Sequence, residues 1–335
     1  MAGHNTVSPN GKGADNEMPQ NLEIVHAEPA VIDGGEPEKE ISPNHQYVDA
    51  VNHFYTKEIR AEQRRMLSII RTSPQTGYFV DIFRSVVIDG DNKYHDYIYH
   101  NMGVGAEMFS SSGEPLQLTN LPLDSLSGKG YRYFNTLGSL ATDKAFFMDF
   151  HLGIDDTHMR MFMPEGEERI VYQLNSLFNH RYYESSLRKL PVPALLVRQQ
   201  AWNKPFVVVY EPYGNGAEAN IKSVYVGKTV AQEGIAKLTV EHKKSGRIDY
   251  IIHSIVPEKE ADYMGIRFKG TYCVASFDGD LLLSIYVGNG KSLSMNGLTV
   301  NSVSGEAFNA LFELRNGVLS YNSDKEVIYS LTKNE

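Results

Sequence analysis

The apolar and polar positions of this chain alternate with the period of a pleated strand, in one short run after another. From Tyr47 onward the apolar groups come as blocks rich in β-branched and aromatic residues. Val48–Tyr55, Arg64–Arg71, Tyr78–Arg84 and Tyr94–His100 are the first four. Phe146–Leu152, His158–Met163, Ala194–Arg198 and Phe206–Tyr210 follow; the last is apolar on both faces, which predicts a central place in its sheet. Ile221–Val226, Ile235–His242, Ile248–Ile255, Gly265–Phe268, Thr271–Phe277, Leu281–Val287, Leu298–Asn301, Ala310–Leu314, Val318–Ser320 and Val327–Leu331 complete the series. Charge-rich Ile59–Arg65 has the composition of a helical turn, but its neighbours are strands and no room is left for a long helix, so a strand is expected. Lys244-Ser245-Gly246, Asp278-Gly279-Asp280, Gly288-Asn289-Gly290 and Asn316-Gly317 read as hairpin turns. A strand roughly every ten residues predicts an all-β chain: a large antiparallel β-sandwich followed by a small C-terminal antiparallel β-sheet domain. Pro257-Glu258-Lys259-Glu260-Ala261-Asp262 is the expected linker, dividing residues 1–256 from 257–335.

The densest chemistry lies in Gly77–Gly103. Two apolar runs there flank Asp89-Gly90-Asp91-Asn92-Lys93, and a β-hairpin is expected. In its second run His95, Tyr97 and Tyr99 fall on one face, and Asp96, Ile98 and His100 on the other. Met1–Asn44 is different, rich in Gly, Pro, Asn, Asp and Glu with short apolar groups at Leu22–Val25 and Ala30–Ile32. Strands with long loops and an acidic disordered tail are both open readings there.

Composition narrows the function. Forty-one acidic against 32 basic residues give a net charge of −9, which argues against a nucleic-acid binder. No apolar run approaches the length of a membrane span, so no membrane partner is expected. The single cysteine, Cys273, sits in a strand-like run and reads as a small buried hydrophobe. Twenty Tyr and 15 Phe against one Trp suit a carbohydrate-handling surface and suit a plain β-sandwich equally.

The histidines at 4, 95, 100, 151, 158 and 180 are the candidates for proton transfer or metal binding, since imidazole titrates near neutrality. The other reading for each is a satisfied structural histidine. His151 and His158 flank a plausible turn; if their strands pair, Asp155 or Asp156 lies near one of them. Arg188 with Lys189, and Arg64 with Arg65, suit carboxylates or sulfates, or else solvated strand edges. Tyr131 and Tyr133 form a sugar-stacking surface or one face of a strand.

The segment Gly77-Tyr78-Phe79-Val80-Asp81-Ile82-Phe83-Arg84, followed by Tyr94-His95-Asp96-Tyr97-Ile98-Tyr99-His100-Asn101-Met102-Gly103, resembles the heparinase II/III-like family of polysaccharide lyases. That family carries an aromatic–Val-Asp-x-Phe-Arg strand and then a His-Asp-aromatic strand ending in His and Gly. Two further landmarks keep the family's order: Leu190-Pro191 through Ala194–Arg198 leading into Phe206–Pro212, and His4-Asn5-Thr6-Val7, similar to the family's His-Asn-Thr-Val segment. Together they span most of residues 1–256.

The resemblance implies an α/α-toroid, then a β-sandwich of the supersandwich type, then a small β-sheet domain, with this chain resembling the last two. It implies β-elimination on an acidic, uronic-acid-containing polysaccharide, in a periplasmic or extracellular setting. A base removes the C5 proton, an acid protonates the leaving oxygen, and polar groups hold the carboxylate. The toroid and an upstream segment supply the catalytic residues, so the chain is expected to enter the sandwich partway through and to be inactive alone. In metal-bearing relatives the His of the His-Asn-Thr-Val segment joins an upstream His and Asp around zinc, which makes His4 one ligand with absent partners. Tyr131, Tyr133 and Arg188 are then substrate contacts. A non-catalytic carbohydrate-binding or structural β-sandwich is the alternative, and a self-sufficient enzyme built on His95, Asp96, Tyr99 and His100 is a third reading.

Overall fold

In this computed structural model, residues 4–13, 21–29, 39–120, 126, 131–153, 155–176, 192–227, 234–315 and 317–332 are described. The first strands are β1 (Thr6–Pro9), β2 (Asn21–Glu28), β3 (His45–Tyr55), β4 (Arg60–Arg71), β5 (Gly77–Asp89), β6 (His95–His100) and β7 (Gly105–Ser110). After a short 3-10 turn at Tyr131–Tyr133 come β8 (Phe134–Thr142), β9 (Phe146–His151), β10 (His158–Met163), β11 (Arg169–Ser176), β12 (Val192–Gln199) and β13 (Ala201–Tyr213). The series ends with β14 (Ile221–Val226), β15 (Ile235–His242), β16 (Arg247–Ser254), β17 (Ala261–Tyr263), β18 (Ile266–Asp278), β19 (Leu281–Met295), β20 (Leu298–Ser302), β21 (Phe308–Arg315), β22 (Val318–Ser323) and β23 (Val327–Leu331). The chain is all-β as expected. No helix among the described residues is long and apolar enough to cross a membrane.

Three sheets have the orders β1-β6-β12-β11-β8, β2-β3-β4-β5-β13-β10-β9-β7 and β14-β15-β16-β18-β19-β20-β23, with β17, β21 and β22 attached to the third. The chain divides into two compact units. One holds Met1–Glu23, Ala50–Arg65 and Tyr78–Ala219; the other holds Ile24–Asp49, Met66–Gly77 and Asn220–Glu335. The expected linker Pro257–Asp262 runs between β16 and β18 and includes the start of β17.

The first unit is an antiparallel sandwich. Val7, Tyr97, Leu195 and Val197 of the five-stranded sheet meet Phe83, Met148, Phe150, Met161, Phe206 and Val208 in one core. Ile98, Ala194 and Leu196 turn the other way, onto Leu126, Tyr131 and Phe134. Both faces of β12 are therefore covered, which is why its sequence, Val-Pro-Ala-Leu-Leu-Val, is apolar at every position. β13 lies between β5 and β10, the central place its two apolar faces predict.

The second unit is built on the sheet of β14 to β23 and also takes in parts of β2, β3 and β4 from the eight-stranded sheet. On one face Ile252, Cys273, Ala275, Ile285, Val287, Ala310 and Phe312 form the apolar core. The other face is polar and buried: Tyr272 Oη donates to Ser68 Oγ (2.8 Å), Tyr286 Oη donates to Glu28 Oε2 (2.7 Å), and His253 Nε2 lies 3.0 Å from Asp49 Oδ2.

Two turn expectations fail. β5 and β6 are not a hairpin, because β5 pairs with β13 in the eight-stranded sheet while β6 lies between β1 and β12 in the five-stranded one. Within the connection, Asn92 Oδ1 accepts from the Val87 N–H (3.2 Å) and sits 2.7 Å from His95 Nε2. Gly288-Asn289-Gly290 is not a turn either. It lies inside β19 as a bulge, where the register with β18 and β21 shifts and Asn289 takes φ 49°. The hairpin turns at Lys244–Gly246 and Asp278–Asp280 do form. At the N-terminus, β1 and β2 answer the strand reading; Ala30, Val31 and Ile32 lie outside the described residues.

Candidate functional site

The strand singled out by its histidines is buried. His95 has no exposed surface, and burial pushes its imidazole down to about 4, so the ring is neutral. Asp96 accepts from Arg198 Nε (2.7 Å) and Nη2 (2.9 Å), and from the Tyr131 hydroxyl (2.6 Å). Tyr131 is 3% exposed, its hydroxyl pKa raised by burial and by Asp96. Tyr99 packs on Phe150 and Tyr210, and its hydroxyl accepts from Asn101 Nδ2 (3.2 Å). His100 is half-buried beside Phe134, and its backbone N–H donates to Asn5 Oδ1 (2.7 Å).

A second buried network joins β4, β5, β6 and β13. Arg65 gives Nε to Asp81 Oδ1 (3.0 Å) and Nη2 to Oδ2 (2.7 Å), while Tyr97 Oη donates to the same Oδ2 (2.7 Å) and meets the Tyr210 hydroxyl. Burial raises both tyrosine pKa values, and both stay protonated. Burial works against the Arg65 and Arg198 cations, but their aspartates outweigh it and hold both above the ordinary value. Each network is a carboxylate desolvated and then satisfied from all sides, an arrangement that positions strands.

A partly exposed constellation lies elsewhere, on the face of β7, β9, β10 and β13 turned away from the core. Register places Glu107, Asp149, Arg160 and Glu211 in one row across the strands, and Gly105, His151, His158 and Tyr213 in the next. Directly opposite residues share a face, so these side chains meet although the sequence scatters them. The other face of the same strands sends Met148, Phe150, Met161 and Val208 into the core.

Arg160 Nη2 is bonded to Asp149 Oδ2 and donates to Tyr213 Oη (3.2 Å); Tyr213 Oη in turn donates to Asp149 Oδ2 (2.5 Å). Burial and Asp149 raise the Tyr213 pKa. His158 stacks on the Tyr213 ring at 4.8 Å and meets Asp156 through Nε2 (3.3 Å), the neighbour that strand pairing was expected to bring. Its Nδ1 stands 3.6 Å from Asp149 Oδ1, beyond a hydrogen bond. His151 lies 4.4 Å from the His158 ring with 41% of its side chain exposed, and Glu107 is 3.8 Å from its Nε2. Arg160 lies 4.4 Å over Phe147, which stacks on Phe109. The face therefore offers a solvent-reaching imidazole, a fixed guanidinium, carboxylates and flat rings. That set can hold sugar hydroxyls and a carboxylate. Asp149, Arg160 and Tyr213 were not singled out from sequence; the signal available was the period-2 spacing of Asp149 with His151 and of His158 with Arg160.

The remaining expected site residues are dispersed. His4 is exposed. No group of three His, Cys, Asp or Glu among the described residues is placed to hold a metal ion, so the described residues do not fit a zinc site. Tyr133 lies in the 3-10 turn, and Arg188 and His180 lie outside the described residues.

Residues 221–312 match the family model for the C-terminal domain of endo-acting ulvan lyase. Over 323 residues the chain is 31% identical to an endo-acting ulvan lyase of Formosa agariphila. The likeness is to a polysaccharide lyase family. The aligned stretch takes in 90% of this chain and 38% of that relative, so the chain spans well under half of the relative's length.

Proposed function

We propose that this chain forms the β-strand portion of a polysaccharide lyase that cleaves a uronic-acid-containing polysaccharide of the ulvan type by β-elimination. The observation that carries the reading is the 31% identity to an endo-acting ulvan lyase across nearly the whole chain. Elimination needs a base at C5, an acid at the leaving oxygen, and cationic or hydrogen-bonding groups at the carboxylate. In this reading the β7–β9–β10–β13 face contributes sugar and carboxylate contacts through Arg160, His151 and Tyr213. The base and acid come from an α/α-toroid of the heparinase II/III-like kind, outside this sequence. The chain by itself then binds glycan without turning it over, and works outside the cytoplasm, where such polysaccharides are met.

The test is incubation with ulvan, heparin, heparan sulfate, alginate and chondroitin, following the ultraviolet absorbance of the unsaturated uronate alongside equilibrium binding. Binding to ulvan without product is expected from the chain alone, and product once a toroid region is joined to it. Absence of binding to every uronate glycan would sink the reading. A module that binds glycan but never yields product in the longer protein would favour the alternative, a non-catalytic carbohydrate-binding sandwich.

A further inference from the structure

The second unit contains a cavity of about 520 Å³, a size within the small-molecule range. Its lining includes His45 at the start of β3, Arg71 and the β4–β5 turn, Arg247 at the start of β16, Ser284 on β19, and Glu313 and Arg315 at the end of β21. Ser284 and Glu313 of the lining continue a cross-strand row that begins with Asp249 and Ser276 on β16 and β18, on the polar face of the sheet.

The charges of the lining do not cancel. Arg247 is taken by Asp249, at 2.9 Å from Nε, and its Nη2 donates to Ser276 Oγ (3.0 Å). Arg315 is matched by Glu313, 3.0 Å away. Arg71 is exposed, and its side chain makes no ion pair among the described residues. One cation is therefore left over.

His45 supplies the second observation. It is 3% exposed, stacks on Tyr286 at 5.2 Å, and its Nε2 has no hydrogen-bond partner. Its tautomer follows from Ser42. Ser42 Oγ already accepts the backbone N–H groups of Asn44 (3.2 Å) and His45 (3.1 Å), so its own O–H is turned to His45 Nδ1 (3.0 Å). Nδ1 is then the acceptor and Nε2 carries the hydrogen. Burial keeps this ring neutral by pushing it down to about 4, with Asp249 and Arg247 acting in opposite senses. A buried N–H donor without an acceptor is costly, and His45 lines the same cavity as the unmatched Arg71, a combination suited to an oxyanion.

We propose that this cavity is a subsite for the oxyanion of an acidic sugar, a sulfate ester or a uronate carboxylate, held by Arg71, the His45 Nε2–H and the Ser284 hydroxyl. The proposal rests on the reading of the chain as a binder of acidic polysaccharide. It adds a contact in the second unit, which carries none of the residues named for the β7–β9–β10–β13 face.

The experiment uses the full chain and calorimetric titration with sodium sulfate, glucuronate, ulvan oligosaccharides and desulfated ulvan oligosaccharides, on the wild type, Arg71→Ala and Arg71→Lys. Arg71 is exposed and lies at a strand end, so circular dichroism is expected to match the wild type. Ulvan affinity is expected to fall roughly tenfold in Arg71→Ala and to recover in part in Arg71→Lys, as loss of one charge-assisted contact requires. Loss on desulfation assigns the sulfate ester, and its absence assigns the carboxylate. Unchanged ulvan affinity in Arg71→Ala overturns the subsite and leaves the polysaccharide reading standing. Sulfate or glucuronate binding that Arg71→Ala abolishes, without ulvan binding in any form, keeps the anion site and overturns its polysaccharide ligand. No binding of any probe overturns both.

Discussion

Asp96 on β6 and Arg198 on β12 face each other as directly opposite residues of neighbouring strands, and two short hydrogen bonds join them. They are 102 positions apart in sequence. Asp96 is fully buried, so its charge is tolerated only because Arg198 and Tyr131 surround it. Removing one partner leaves an uncompensated charge. Arg198→Ala is expected to destabilise the first unit by about 3–5 kcal/mol in urea unfolding, whereas Tyr131→Phe, which spares the ion pair, costs about 1 kcal/mol. Equal effects of the two variants would contradict this account of the network.

Gly288 tests packing on the polar face of the second unit. A Cβ there would sit 2.4–2.8 Å from ring and hydroxyl atoms of Tyr47. Gly-to-Ala replacement gains about 0.4–1 kcal/mol from the unfolded state, but overpacking costs about 1–3 kcal/mol. The clash wins, and Gly288→Ala is expected to lower the unfolding midpoint. A raised midpoint would show that Tyr47 can move aside.

Acid should loosen both units through His45 and His95, each held near 4 against an ordinary 6.5. Below 6.5 the unfolded chain binds protons that the folded rings refuse. This contribution is therefore intact above about pH 6.5 and is lost as pH falls toward 4, on the order of 3 kcal/mol for each ring at full extent. Unfolding midpoints compared between about pH 7 and pH 5 should drop, and His95→Gln should flatten the slope for the first unit. A midpoint independent of pH in that window would contradict the burial of both rings.

On the outer face of β7–β9–β10–β13, His151 is partly exposed, and its loss should leave stability within about 0.5 kcal/mol. His151→Ala and Tyr213→Phe are expected to weaken binding of uronate oligosaccharides several-fold in titration, while a surface change away from the face does not. Tyr213→Phe also removes a donor to Asp149, so its stability should be measured beside its affinity.

The strands themselves were legible locally. His158–Met163, Ile221–Val226, Ile235–His242 and Val327–Leu331 match their elements end to end. The charged stretch before Met66 is strand as expected. Alternation and turn residues act within a few positions, so a single chain displays them. The central place of Phe206–Tyr210 was readable for the same reason, since burial on both faces leaves no polar position.

Alternation says which residues share a face and is silent on which strand lies alongside. The region from Gly77 to Gly103 shows the difference. Its two strands were correctly placed along the sequence, yet long-range pairing sends them into different sheets. Asp81 and Tyr97 still meet, across the core and not along a hairpin. The same holds for chemistry: His95 and Asp96 carry reactive side chains, but burial and partners distant in sequence make one a neutral ring and the other half of an ion pair. The partly exposed imidazole of His151 owes its neighbours Glu107, His158 and Tyr213 to three strand pairings. Local pattern settles backbone conformation, because steric preference is local; the company a charge keeps is set by cross-strand contacts, because desolvation and pairing depend on what the rest of the fold brings within a few ångströms.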